Sequence, residues 1–298
     1  MPTRLTHRFA APLTAMAAAA TAAAAALGPV ACASSGAGTP RAAAIDSTAM
    51  RRVVPIEFRD GAVLLKGTLY LPAGAGPHPA VVMTHASGAQ TRDANRSLAE
   101  AFANAGIAAL TYDKRGSGSS TGNLKAASFA DLTADAAEGA IALRARRDID
   151  GARIGIYARG QGATWSPMVA ERDATIAFIV AVGASGVETD SLSRWLYDAD
   201  AHWRSVNGAV MLAWGANDRR VPVEQSRSLI VGSLKRDQPR QQLVCLYPGA
   251  DEALGAGAAA GPGLPAAFVQ DVTRWVREVV RLDRPPSAGE RRYSPACT

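Results

Sequence analysis

The sequence predicts an α/β fold, in which a mostly parallel central sheet carries helices on both faces and opens with an antiparallel hairpin. Three observations carry this reading. Short apolar runs of strand length, such as 80–84 and 107–111, show no alternation, as strands buried on both faces do not. They alternate with helical segments as far as residue 281. A chain of 298 residues with 48% hydrophobic content can bury one large core of this kind.

Residues 1–33 read as a secretory signal. Arg4, His7 and Arg8 precede an uncharged alanine-rich run over 9–27, and the small residues Ala31-Cys32-Ala33 stand ahead of Ser34. The same stretch resembles a bacterial lipobox, with the signal ending at Ala31 and a lipid on Cys32, although Pro29 stands where leucine is usual. The expected location is secreted or periplasmic, with Cys32 as the one route to a membrane anchor. Residues 34–50 are a small, polar linker, 51–284 the domain, and 285–298 a flexible tail.

Within the domain, 53–58 and 63–71 form the hairpin around the turn Arg59-Asp60-Gly61. Strand 80–84 leads through a polar loop to a helix over 93–105, closed by Gly106. Strand 107–111 runs into the glycine-rich loop 113–118, and a long helix covers 129–146. Then come strand 153–158, helix 162–171, strand 176–182, a short cap over 191–207, strand 210–214, helix 223–234, strand 242–247 and a final helix over 266–281.

The formal charge is +6, and loss of Arg4 and Arg8 with the leader leaves about +4. This mild surplus forms no basic helix and has no aromatic interleaving, so nucleic acid is not an implied partner. Neither the histidines (His7, His78, His85, His202) nor the cysteines (Cys32, Cys245, Cys297) show metal-ligand spacing, and no cofactor motif is present. Cys245 reads as a small core residue; an oxidising compartment would also permit a Cys245–Cys297 bridge, which spacing alone does not establish.

Residues 153–163, RIGIYARGQGA, run from strand through a sharp glycine turn into helix, the arrangement that presents a nucleophile in G-x-S-x-G proteins. Gly160 stands where the serine belongs. Four more stretches follow one order: VVMTHASG (81–88), YDKRGSGSS (112–120), AVMLAWGANDRRVP (209–222) and LYPGADEAL (246–254). On these motifs the chain resembles the α/β-hydrolase superfamily over about residues 53–281, most of all its serine aminopeptidase, acyl-peptidase and dienelactone-hydrolase-like branches. The resemblance implies the α/β-hydrolase fold with a reduced cap. It places Asp218 at the triad acid, Gly160 at the nucleophile, Glu252 at the histidine, and the backbone N–H groups of Ala86 and Gln161 at the oxyanion hole.

Acyl transfer on this plan needs a hydroxyl activated by an imidazole. Glycine offers no attacking atom, and a glutamate beside Asp218 would repel it or share a proton with it. The expectation is a hydrolase homologue without serine hydrolase activity that is either a module binding a small-molecule or peptide ligand or a non-functional paralogue. The alternative is an active carboxylic-ester or peptide hydrolase using another nucleophile, with Ser87, Thr164, Ser166 and Ser185 as hydroxyls and His85 or His202 as imidazole. A third reading makes the chain an interaction protein that uses Trp195 and Trp203 in its cap. The acidic group Asp218, Asp251 and Glu252 reads as solvated loop carboxylates rather than a cation site. Oligomeric state is not legible.

Overall fold

Strands β1 (Arg52–Asp60) and β2 (Val63–Leu71) pair antiparallel with Asp60 opposite Val63, leaving Gly61 and Ala62 as the whole turn. Gly61 takes φ 53°, as such a tight turn requires. The computed structural model describes residues 52–187, 197–234, 242–252, 254, 263–282 and 293–298. The expected leader with Cys32, the linker, Trp195 and residues 285–292 of the expected tail lie outside the described residues.

β2 joins an eight-stranded sheet of order β1-β2-β4-β3-β5-β6-β7-β8. Strands β3 (His78–Met83), β4 (Ala108–Tyr112), β5 (Ile149–Arg159), β6 (Phe178–Val182), β7 (Ala209–Gly215) and β8 (Gln242–Tyr247) run parallel to one another, and among the described strands β2 alone runs against them, antiparallel to both β1 and β4. Every residue of β3 is buried because both faces are covered. Ala80 and Val82 enter one core, Val81 and Met83 the other.

Helices α1 (Arg96–Asn104) and α6 (Ala266–Val279) cover the Val81 face through Leu98, Phe102, Phe268 and Val272. The opposite face takes α2 (Phe129–Arg144), α3 (Gln161–Arg172), α4 (Ala199–Ser205) and α5 (Val223–Ser233). α2 starts at a capping box in which Ser128 and Asp131 satisfy each other's backbone N–H groups. α4 lies in the cap segment to which the sequence reading gave no element. Its Trp203 is wholly buried, which corrects the expectation that this ring presents a partner surface.

Three consecutive charges after β4 are buried and satisfied. Asp113 accepts from Arg92 N, Nε and Nη2 and from Ser119 N at 2.6–3.0 Å. Burial alone would raise its carboxyl, but these donors outweigh burial and hold it below the ordinary value. Lys114 Nζ donates to Ala86 O and Gln161 Oε1. Arg115 forks onto Asp135 at 2.7 and 2.8 Å and also reaches Asp60 Oδ2 and Asp131 O. This loop therefore ties the hairpin, α2, the loop after β3 and the start of α3 to one another.

The last six residues depart from the loose tail that the sequence suggests. They lie along the outer edge of β8, where Val244 and Thr298 exchange backbone bonds and Leu246 N–H donates to Ala296 O. Ser294 N and Oγ donate to buried Asp271, and Cys245 is bonded to Cys297. The segment covers a strand edge that would otherwise expose unpaired N–H and C=O groups. Cys297→Ser should cost about 4 kcal/mol on loop-closure reasoning. In urea unfolding, reductant should lower the midpoint of the wild type and leave that of the variant unchanged.

Candidate functional site

β5 delivers the chain to Gly160, and α3 leaves from it with Gly160 at φ 53° and ψ −124°. An L side chain in that backbone conformation costs about 1–3 kcal/mol. Gly160 N–H donates to Val182 O at 2.7 Å, which fixes the elbow to the end of β6. A Cβ on Gly162 would sit 2.5 Å from His85 O and 2.6 Å from Thr84 Oγ1, so the first turn of α3 is pressed against the loop after β3. A Cβ on Gly160 would fall 3.3 Å from Ala86 Cβ. The Ala86 methyl thus crowds the space into which a nucleophile's side chain would project.

Neither Ala86 N–H nor Gln161 N–H has an acceptor among the described residues; Gln161 opens a helix, where such donors are free by geometry. Lys114 lies behind both. Its Nζ is 3.0 Å from Ala86 O and 3.2 Å from Gln161 Oε1, and burial pulls its ammonium down to about 8. It still carries its charge at neutral pH, behind a loop and a helix end that each offer an N–H.

Asp218 follows β7. Its Oδ1 accepts from Arg220 N at 2.8 Å and Val221 N at 3.0 Å, while Oδ2 is shut off from solvent and has no partner. The Cβ position of Gly183 is 3.3 Å from Glu252 O, 3.8 Å from Asp218 Oδ2 and 4.0 Å from Gly160 N. The three positions assigned by resemblance to the triad therefore meet around one point. Glu252 itself turns away, its Oε1 meeting Arg220 Nε at 2.8 Å near the surface. Arg220 thus takes the carboxylate that the sequence reading set against Asp218.

The other sequence candidates stand apart from any relay. His85 is buried with Nε2 2.5 Å from Tyr112 O, so that nitrogen donates; burial lowers the imidazole to about 4 and keeps it neutral. Ser166 Oγ donates to Ala163 O and Ser185 Oγ to Val187 O, while Thr164 Oγ1 accepts from Ser185 N. None of these hydroxyls meets an imidazole, and Ser87 lies exposed on its loop. His202 Nδ1 pairs with Glu171 rather than with Asp200, which binds Arg204 and Ser233; Ser205 Oγ also donates to Glu171. That hydroxyl meets the carboxylate and not the ring. Among the described residues no group of three or more His, Cys, Asp or Glu is placed to hold a metal ion.

Sequence reading missed Lys114 and Gly183. The lysine is indistinguishable from a solvated loop charge until the fold buries it.

The model of the X-Pro dipeptidyl-peptidase (S15) family matches residues 60–241, more than half of the chain. The chain belongs to the S15 family. Within the α/β-hydrolase superfamily, this S15 chain is 30% identical over 115 residues to Esterase EstD of Thermotoga maritima, a stretch covering 36% of the chain and 27% of that relative. It thus spans about a quarter of the length of the curated relative it matches. Among solved structures it resembles the dienelactone hydrolase of Anabaena variabilis (22% identity, 76% of this chain and 98% of that one, TM-score 0.60). It also resembles the α/β hydrolase GrgF from Penicillium (14%, 77% and 99%, TM-score 0.64). Both likenesses bear on the fold alone, which is the α/β-hydrolase fold.

Gly160→Ser should lower the melting temperature, through backbone strain and the Ala86 contact together. Adding Ala86→Gly should recover part of the loss; an unchanged or higher melting temperature in the single variant would contradict this assignment. For His85 the sign is also set. The unfolded state takes up a proton near 6.5 and the folded state only near 4, so stability is full above 6.5 and declines by on the order of 3 kcal/mol as pH falls through this window. His85→Asn should flatten that decline in urea titrations at about pH 7 and about pH 4.5.

Proposed function

We propose that this S15-family chain binds a small ligand by its carbonyl or carboxylate group and does not cleave it through a serine. The observation that carries the reading is the elbow: a nucleophile position without a side chain, faced by the Ala86 methyl, beside two backbone N–H groups that remain without acceptors. Hydrolysis needs the hydroxyl and imidazole, and their loss removes about a millionfold of rate in the serine protease where this has been measured. Oxygen binding needs only the donors. The Lys114 ammonium adds a favourable field for negative charge.

The same reading places the protein outside the cytoplasm, in an oxidising compartment. The leader-like residues 1–33 and the Cys245–Cys297 bridge both support that placement. Among the described residues no helix is long and apolar enough to cross a membrane.

Two measurements test the function. A fluorophosphonate probe should leave the purified protein unlabelled; covalent labelling at any residue would overturn the reading in favour of an ester or peptide hydrolase with a different nucleophile. Titration with acetate should move the amide resonances of Ala86 and Gln161, and the affinity should fall as pH rises through about 8, where Lys114 gives up its proton.

A further inference from the structure

Asp218 Oδ2 is the unexplained group of the site. A buried acceptor without a donor costs about 1–3 kcal/mol, and more when it is charged. The backbone N–H groups of Arg220 and Val221 go to Oδ1, and the Arg220 guanidinium goes to Glu252. Oδ2 is 3.8 Å from the Cβ position of Gly183, itself 4.0 Å from Gly160 N, and no side chain grows from either glycine. The carboxylate oxygen therefore lies on the elbow side of Gly183, where Glu252 O packs 3.3 Å from the same Cβ position, and a ligand reaches it only when that side opens. Arg220, whose backbone N–H holds Oδ1, pairs with Glu252 at the surface and is 77% exposed; a surface pair of this kind is worth about 0–1 kcal/mol and opens at little cost.

We infer that Asp218 Oδ2 receives a charged N–H group of the ligand, an ammonium, imidazolium or guanidinium. Resting on the oxygen-binding role proposed above, this makes the ligand amphoteric. Its carboxylate or carbonyl lies against Ala86 N–H and Gln161 N–H, backed by Lys114, and its cationic nitrogen lies against Asp218. The two poles match the two local fields, positive behind the hole and negative at the acid. A purely anionic ligand would leave the carboxylate oxygen unpaired, and a purely cationic one would leave the N–H donors unused.

The test compares imidazole-4-acetate with its halves, acetate and imidazole, by ligand-observed NMR and calorimetry at about pH 6, where the ring carries its proton. Wild type should bind imidazole-4-acetate roughly tenfold more tightly than acetate, the worth of one charge-assisted bond. Asp218→Asn is the decisive variant, because an asparagine oxygen can keep the Arg220 and Val221 bonds while Oδ2 becomes an amide donor. It should bring imidazole-4-acetate down to the level of acetate without weakening acetate binding, since removing a nearby negative charge favours an anion. If acetate binds but the amphoteric probe gains nothing over it, or keeps its advantage in Asp218→Asn, Oδ2 holds only water and this inference fails while the oxygen-binding role stands. If acetate does not bind but imidazole binds in an Asp218-dependent way, the cation site stands and the oxygen-binding role fails. If no probe binds, both fail.

Discussion

Everything near the elbow depends on how three adjacent charges after β4 are neutralised. Asp113, Lys114 and Arg115 are each nearly removed from water, which is costly unless partners are supplied in fixed places. Arg115 finds Asp135 on α2 and Asp60 at the hairpin turn, Asp113 finds Arg92 ahead of α1, and Lys114 finds the Ala86 carbonyl and the Gln161 side chain. Because each charge draws on a different element, the loop sets the spacing between the strand ends that carry the site. Breaking one partner of such a buried pair costs about 3–5 kcal/mol, a large share of the stability of an ordinary domain.

The site itself carries glycine and glutamate at the positions assigned to the nucleophile and the base. Its frame is backbone: the turn at Gly160, the N–H groups of Ala86 and Gln161, the close approach at Gly162. Side-chain substitutions leave such a frame standing, which is why a chain can keep the architecture after losing serine and histidine. The changes at the three assigned positions are mutually consistent. Glycine relieves the strained turn, alanine faces the unused space, and Glu252 is drawn off to Arg220, leaving Asp218 half satisfied.

Much of this was legible in the residues. The strand and helix series was readable because apolar runs and helical periods alternate, and the five motifs gave the order of the loops. The cap helix was not readable, since seven residues of mixed character carry little periodicity. The closing segment misled as well: Tyr293–Thr298 looks loose because its partners, Asp271 and Cys245, are distant in sequence and meet it only at the sheet edge.

By itself the sequence determined the parallel α/β architecture, the superfamily, the elbow at Gly160 and the absence of serine and histidine at their assigned positions, because these are matters of local pattern and residue identity. Only the tertiary structure decided that Lys114 is buried behind the loop after β3, that Glu252 pairs with Arg220, and that Asp218 keeps one oxygen unpaired among the described residues. Partnership and burial are properties of what lies across space. No run of neighbours in the chain records which charge will be withdrawn from water or which donor will reach it.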